Sequence, residues 1–498
     1  MADVIAARDA SGTIAEVGAV AVAIGAAIGD VVDELDLERI WLVDPTAGRE
    51  GVASLRVEAG AIVALEWLDD DGPIPSILVL PGFTDLHVHA REPGDEEAET
   101  VATAMAAAAH GGFTRICLMA NTRPAVDTAA VVGQVRAAAA ASRVPITVEV
   151  IGATTAARAG VALAPMAELA DAGVVAFSDD GAPVSDSSLM RHALAYAGAL
   201  GLPIVEHAED RSLTDGAEMH EGVTATVLGL RGWPTAAEVA AVGGAIAILD
   251  EVARGTPTDA APRLHLTHIS TAAAVDLIRA AKAAGLPVTC DVTPHHLVLH
   301  DGWVAGDRRW AWQAIDETWL GRPTDAPPYD PATRVNPPLR SPADAAALAA
   351  GLRDGTIDAI ATDHAPHTDV AKAVEFGDAA NGISGLETAL GQLLAAVDGG
   401  VLDLPTVVRA LTTGPARVLG SAGGPGVAGM VVGALADLVI VDRSRGWRVE
   451  SNALSSLGTN TPLLGRELPG RVLATLAAGR WAWTDGQVGL TTSATGAA

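Results

Sequence analysis

Between Pro81 and His367 the chain repeats one pattern: a short apolar run, then a stretch of helical character. The runs are "FTDLHVH", "FTRICLMA", "PITVEVIG", "GVVAFSDD", "LPIVEHAED", "RLHLTHIS", "LPVTCDVTPHH" and "TIDAIATDHAPH", which makes eight units. The first helix, in "EAETVATAMAAAAHGG", stops at Gly111-Gly112, as helices do at glycine. Alternating units build a parallel sheet. Eight of them suit a closed (β/α)₈ barrel, whose chemistry sits at the C-terminal ends of its strands. An open doubly wound sheet is the alternative and ranks below it, because no glycine-rich nucleotide fingerprint follows an early strand.

The flanks read differently. "RIWLVDP", "ASLRVEAGAIVALEW" and "ILVLPG" are short strands separated by turn residues, and similar runs return in "GALADLVIVD", "WRVES" and "VLATLAAGRWAWTDG". The expected organisation is an N-terminal extension (1–36) of unknown role, a composite β-rich domain (37–80 with 428–488), a catalytic barrel (81–427) and a tail (489–498). The barrel carries an insertion at 302–333 with Trp303, Trp310, Trp312 and Trp319. Two readings of the insertion stand open: a functional or mobile loop, and a surface element that buries its own tryptophans.

Composition narrows the function classes. Acids outnumber bases 61 to 32, a net charge of −29, which repels nucleic acid and anionic membranes. An anionic substrate would therefore need a local arginine, a metal or backbone N–H groups. Cys117 and Cys290 are the only cysteines and both sit in apolar runs, so neither a disulfide framework nor a cysteine zinc site is expected. The Ala/Val/Gly-rich stretch from Ile14 to Ile28 lacks a basic lead-in and is too short to span a bilayer. A cytoplasmic protein is the expectation.

The polar residues cluster by position. The first strand ends in His87-Val88-His89, the fourth in Asp179-Asp180, the fifth in His207, the sixth in His268 and the eighth in Asp363. Residues two apart in a strand face one way, so both first-strand imidazoles can reach one ion. Imidazole and carboxylate suit zinc or a similar ion. Each residue alone is a weak signal, and an isolated strand-end histidine is more often a hydrogen-bonded core residue. The conjunction carries the argument. Arg91 continues the alternation of His87 and His89, offering a guanidinium for a carboxylate. His295 and His296 lie just past the seventh strand and fit a supporting role better than ligation.

"PGFTDLHVHAREPG", "ANTRPAVD", "AFSDDG", "VEHAED", "LTHIST", "DVTPHHL", "NPPLR", "ATDHAPH" and "GISGLETALG" together resemble the dihydroorotases of the amidohydrolase superfamily, in particular the long-chain bacterial type. The resemblance runs from about Ile40 to Trp483. It implies a zinc enzyme, with two ions per subunit, that interconverts N-carbamoyl-L-aspartate and L-dihydroorotate in pyrimidine synthesis. It assigns metal ligation to His87, His89, Asp180, His207, His268 and Asp363, with Asp363 also the general acid/base. It gives Arg91, Asn121 and His367 to the substrate carboxylate and Asn336 to the substrate ring. It further implies a homo-oligomer and leaves association with aspartate transcarbamoylase open. Competing readings are another cyclic amidase (hydantoinase, dihydropyrimidinase or allantoinase) and an inactive scaffold. Many such amidases bridge their metals with a carboxylated lysine, but Lys282 and Lys372 are the only lysines and neither is near the third or fourth strand end. Asp180 is the expected bridge, and Asp179 the weaker candidate. "ANTRP" departs from the family pattern with Ala120 where proline is common.

Overall fold

The computed structural model describes residues 20–22, 27–257, 260–316, 319–423 and 429–485. Residues 1–19 and 23–26 of the N-terminal stretch, and the tail at 489–498, lie outside the described residues. Eight parallel strands follow one another around a sheet in sequence order: Phe83–Val88, Phe113–Leu118, Thr147–Gly152, Ala176–Phe177, Ile204–Glu206, Leu264–Leu266, Val288–Val292 and Ala359–Ile360. The ring closes between first and last. Val88 bridges His364 in parallel, and His89 N–H donates to the His364 carbonyl at 2.9 Å. Buried Asp85 reinforces the seam by accepting the Thr362 N–H at 3.0 Å and its hydroxyl at 2.5 Å.

Helices pack outside the ring, and their starts are written in the sequence. Thr100 caps Val101–His110 in a capping box with Thr103, Thr128 caps Ala129–Ala141, Asp186 caps Ser187–Ala199, and Thr271 caps Ala272–Ala283. Ser341 with Pro342 opens Pro342–Asp354 in the same way. Each turns a buried apolar face to the strands, and the core they share is rich in Val, Ile, Leu and Ala. Among the described residues no helix is long and apolar enough to cross a membrane.

A second sheet joins the two chain ends. Its order is Arg480–Thr484, Glu467–Ala477, Leu438–Arg448, Ile77–Pro81, Glu34–Asp44, Arg49–Glu58 and Ala61–Trp67, with Val20–Val22 paired to Glu34–Asp44. It has a separate apolar core that includes Leu35, Ile40, Leu55 and Trp481. Gly82 is the switch from this sheet into the barrel. A Cβ there would lie 2.3 Å from Thr114 Oγ1, so the close approach needs glycine.

The insertion is packed. Trp303 is fully buried, Trp310 stacks on Trp312 at 5.6 Å, and the Arg466 guanidinium lies 3.7 Å over Trp310. Tyr329 Oη donates to the Leu228 carbonyl. Of the two readings, the described part of the insertion fits the one that buries its tryptophans.

Candidate metal centre

Every ligand candidate lies at one end of the ring, and all are nearly inaccessible to solvent. Asp180 is central. Its Oδ2 faces His87 Nε2 at 3.2 Å and His89 Nε2 at 3.5 Å, while Oδ1 faces His268 Nε2 at 3.3 Å and His207 Nδ1 at 3.4 Å. Asp363 Oδ1 is 3.0 Å from His89 Nε2 and 3.4 Å from His87 Nε2. Two overlapping groups, His87–His89–Asp363 and His87–Asp180–His268, have donor atoms close enough together to share an ion. Imidazole nitrogens and carboxylate oxygens converging in this way are the donor types that bind divalent cations.

Asp179 turns away. It accepts N–H bonds from Thr154 and Thr155 at 2.9 and 3.0 Å. Both lysines are engaged elsewhere: Lys282 with Asp358 at 2.5 Å, Lys372 with the carbonyls of Pro331, Arg334 and Ala380.

Supporting residues fix the imidazoles. His87 Nδ1 lies 2.8 Å from Thr267 Oγ1, which in turn donates to Asp291. Asp291 also accepts the His268 N–H at 2.6 Å and pairs with His265 Nε2 at 2.7 Å. His207 Nε2 lies 3.0 Å from Glu209, leaving Nδ1 for the site. His89 Nδ1 lies 2.8 Å from Asn121 Oδ1. Sequence reasoning missed Glu209, Thr267 and Asp291. For Asp291 a signal existed: an acid in the middle of an apolar strand must have a buried partner.

The protonation pattern follows from this crowding. Burial pushes His87 down, but the Asp180 and Asp363 charges outweigh it and hold it at about 9. His207 is likewise opposed by burial, yet Asp180 and Glu209 raise it to about 10. Burial raises Asp180 and Asp363, and the neighbouring histidines more than reverse this, so both carboxyls sit below the usual range.

A cleft of about 480 Å³ opens beside the histidines, lined by Arg91, Asn121 and His367 among others. Arg91 does not reach it by continued strand alternation. The strand ends at Val88, and Arg91 sits in a turn at φ +59. His268 and Asp363 are also left-handed, at φ +40 and +47. Non-glycine residues held there cost energy and cluster at functional sites. The Arg91 guanidinium donates Nε–H to the Pro366 carbonyl and lies 3.4 Å from His367 Nε2. The nearby acids are taken: Glu92 accepts the Val101 N–H, and Asp95 pairs with Arg123. Burial and the Arg91 charge hold His367 at about 3, so its ring is neutral. Asn336 is not in this cleft. It lies by His207 and His268, with Nδ2 3.4 Å from Glu209.

Comparison with known proteins places the chain in a family. Residues 76–272 match the family model described as dihydro-orotase-like. The chain is 44% identical over 461 residues to the dihydroorotase of Anaeromyxobacter dehalogenans (strain 2CP-C), covering 91% of this chain and 99% of that one. It is 42% identical to the dihydroorotase of Pelotomaculum thermopropionicum, covering 93% and 97%. Among solved structures, L-hydantoinase from Arthrobacter aurescens superimposes with a TM-score of 0.70 at 23% identity, covering 89% of this chain and 94% of that one. A D-hydantoinase gives a TM-score of 0.69 at 20% identity, covering 91% and 95%. Those two likenesses establish the amidohydrolase fold. With relatives so similar along almost their whole length, the chain belongs to the dihydroorotase family of cyclic amide hydrolases.

Proposed function

We propose that the chain interconverts N-carbamoyl-L-aspartate and L-dihydroorotate, as a zinc-dependent step of pyrimidine synthesis. The observation that carries this reading is Asp180 set between two histidine pairs, next to a cleft that Arg91 lines. His87, His89 and Asp363 would hold one ion and His207 and His268 a second, with Asp180 shared between them. When bound, such ions activate water and polarise an amide carbonyl. Arg91 takes the substrate carboxylate, two-pronged, with neutral His367 beside it. Asn121 steadies His89 through Nδ1 and lines the same cleft. Asp363, kept ionised by its histidine neighbours, accepts the proton of the attacking water and returns it to the leaving ring nitrogen. Ring closure uses the same acid and base in reverse.

The reading is tested by assaying zinc-loaded protein with L-dihydroorotate, hydantoin, dihydrouracil and allantoin. L-Dihydroorotate is expected to turn over fastest. A preference for any of the other three would reassign the chain to another cyclic amidase, and no turnover at all would leave a scaffold.

A further inference from the structure

A second cleft, of about 370 Å³, lies where the barrel meets the second sheet and shares no lining residue with the Arg91 cleft. Its walls come from both units. His110 closes the first barrel helix, Glu387 precedes the Ala389–Asp398 helix, and Trp447, Arg448, Arg471 and Trp483 stand on three strands of the second sheet. His110 stacks on Trp483, with 4.4 Å between ring centroids and 12° between planes, and lies 6.1 Å from Trp447. Its Nδ1 is 2.6 Å from Glu387, and Glu387 also accepts the Ser455 and Ser456 N–H groups. The aromatic wall is thus fixed from behind. Both indoles remain half-buried, so each still presents ring surface to the cleft.

The charged side chains that line the cleft are Arg448 and Arg471 with Glu387 and Glu450. Arg471 is committed to Asp485 at 2.6 Å. Arg448 is exposed and has no ion pair among the described residues. Indole faces favour a flat ring, and a free guanidinium favours a carboxylate or phosphate. Glu450 offers an acceptor for ring N–H groups. The volume is in the range of small-ligand pockets and exceeds what a single ring fills.

We propose that this cleft is a second binding site, for a planar ring that carries a negative charge, stacked on the indoles and held by Arg448. A nucleoside monophosphate fills it better than a simple aromatic carboxylate. The proposal does not depend on which cyclic amide is hydrolysed, because binding is read directly. Calorimetric titration of the full-length, metal-loaded protein with UMP, AMP and nicotinate is the test. Saturable binding is expected for a nucleotide with Kd below ~1 mM. Arg448→Met and Trp447→Leu should each weaken it at least ~tenfold, the scale of losing a Trp or Arg anchor. Arg448 is on the surface, so its variant keeps the fold and unliganded dihydroorotate turnover. Equal binding of nicotinate supports the site and names an aromatic carboxylate as its ligand class. No saturable heat from any probe, or heat that both variants leave unchanged, overturns the proposal.

Discussion

Asp363 and Arg91 divide the chemistry at the scale of single side chains. Asp363→Asn keeps the size and removes the proton acceptor, so turnover should fall at least ~10²-fold, the low end for lost acid–base catalysis. Near wild-type turnover would sink that role. Arg91→Met should raise the apparent barrier for dihydroorotate by ~2–4 kcal/mol, the scale of losing one partner of a buried charge pair. Any activity on dihydrouracil, which has no carboxylate, should hardly change, and equal losses on both substrates would make Arg91 structural. The two neighbouring acids separate cleanly. Asp180→Ala should lower metal content in elemental analysis, whereas Asp179→Ala orphans two buried N–H groups and should lower Tm instead. The reverse ranking would move the ligand to Asp179. The convergence of His87, His89, Asp180, His207, His268 and Asp363 was legible because strand ends fall on one face. Glu209 and Thr267 were not, because a hydrogen bond to the far side of an imidazole leaves no spacing pattern. The turn that presents Arg91 was also hidden, since nothing in "HAREPG" signals a left-handed arginine.

At the scale of elements, legibility followed periodicity. Long helices such as Thr235–Gly255 stand out in the sequence, whereas the fourth and eighth strands shrink to two residues each. The chain leaves the extended conformation early there to aim Asp180 and Asp363 inward. The insertion was ambiguous for a different reason. Its tryptophans bury against residues distant in sequence, such as Arg466, and no local pattern encodes that. Trp303 is fully buried within it. Trp303→Ala should therefore destabilise the protein by about 3–5 kcal/mol, the usual cost of emptying a large aromatic site. Metal content per folded molecule should stay the same, because no ligand candidate lies in the insertion. Loss of metal in still-folded protein would mean that the insertion frames the site.

For the whole molecule, the metal site ties global stability to pH. Without metal, His87 and His207 are held near 9 and 10, above the unfolded value of about 6.5. A raised folded pKa means that the native state binds more protons than the unfolded one between those values. The stability these two groups lend the metal-free protein is thus complete below about pH 6.5 and is lost as pH rises through 9 to 10. An ion must displace those protons to bind. Its stabilising effect therefore grows with pH over the same window, by up to about 1.4 kcal/mol per pH unit for each proton released. Thermal melts of zinc-loaded and chelator-stripped protein at pH 6 and pH 9 check this. The Tm gap between the two forms should widen markedly at pH 9, mostly because the stripped protein weakens. A gap that stays constant or narrows would mean that His87 and His207 do not both give up protons to the ion, and would remove at least one of them from the ligand set.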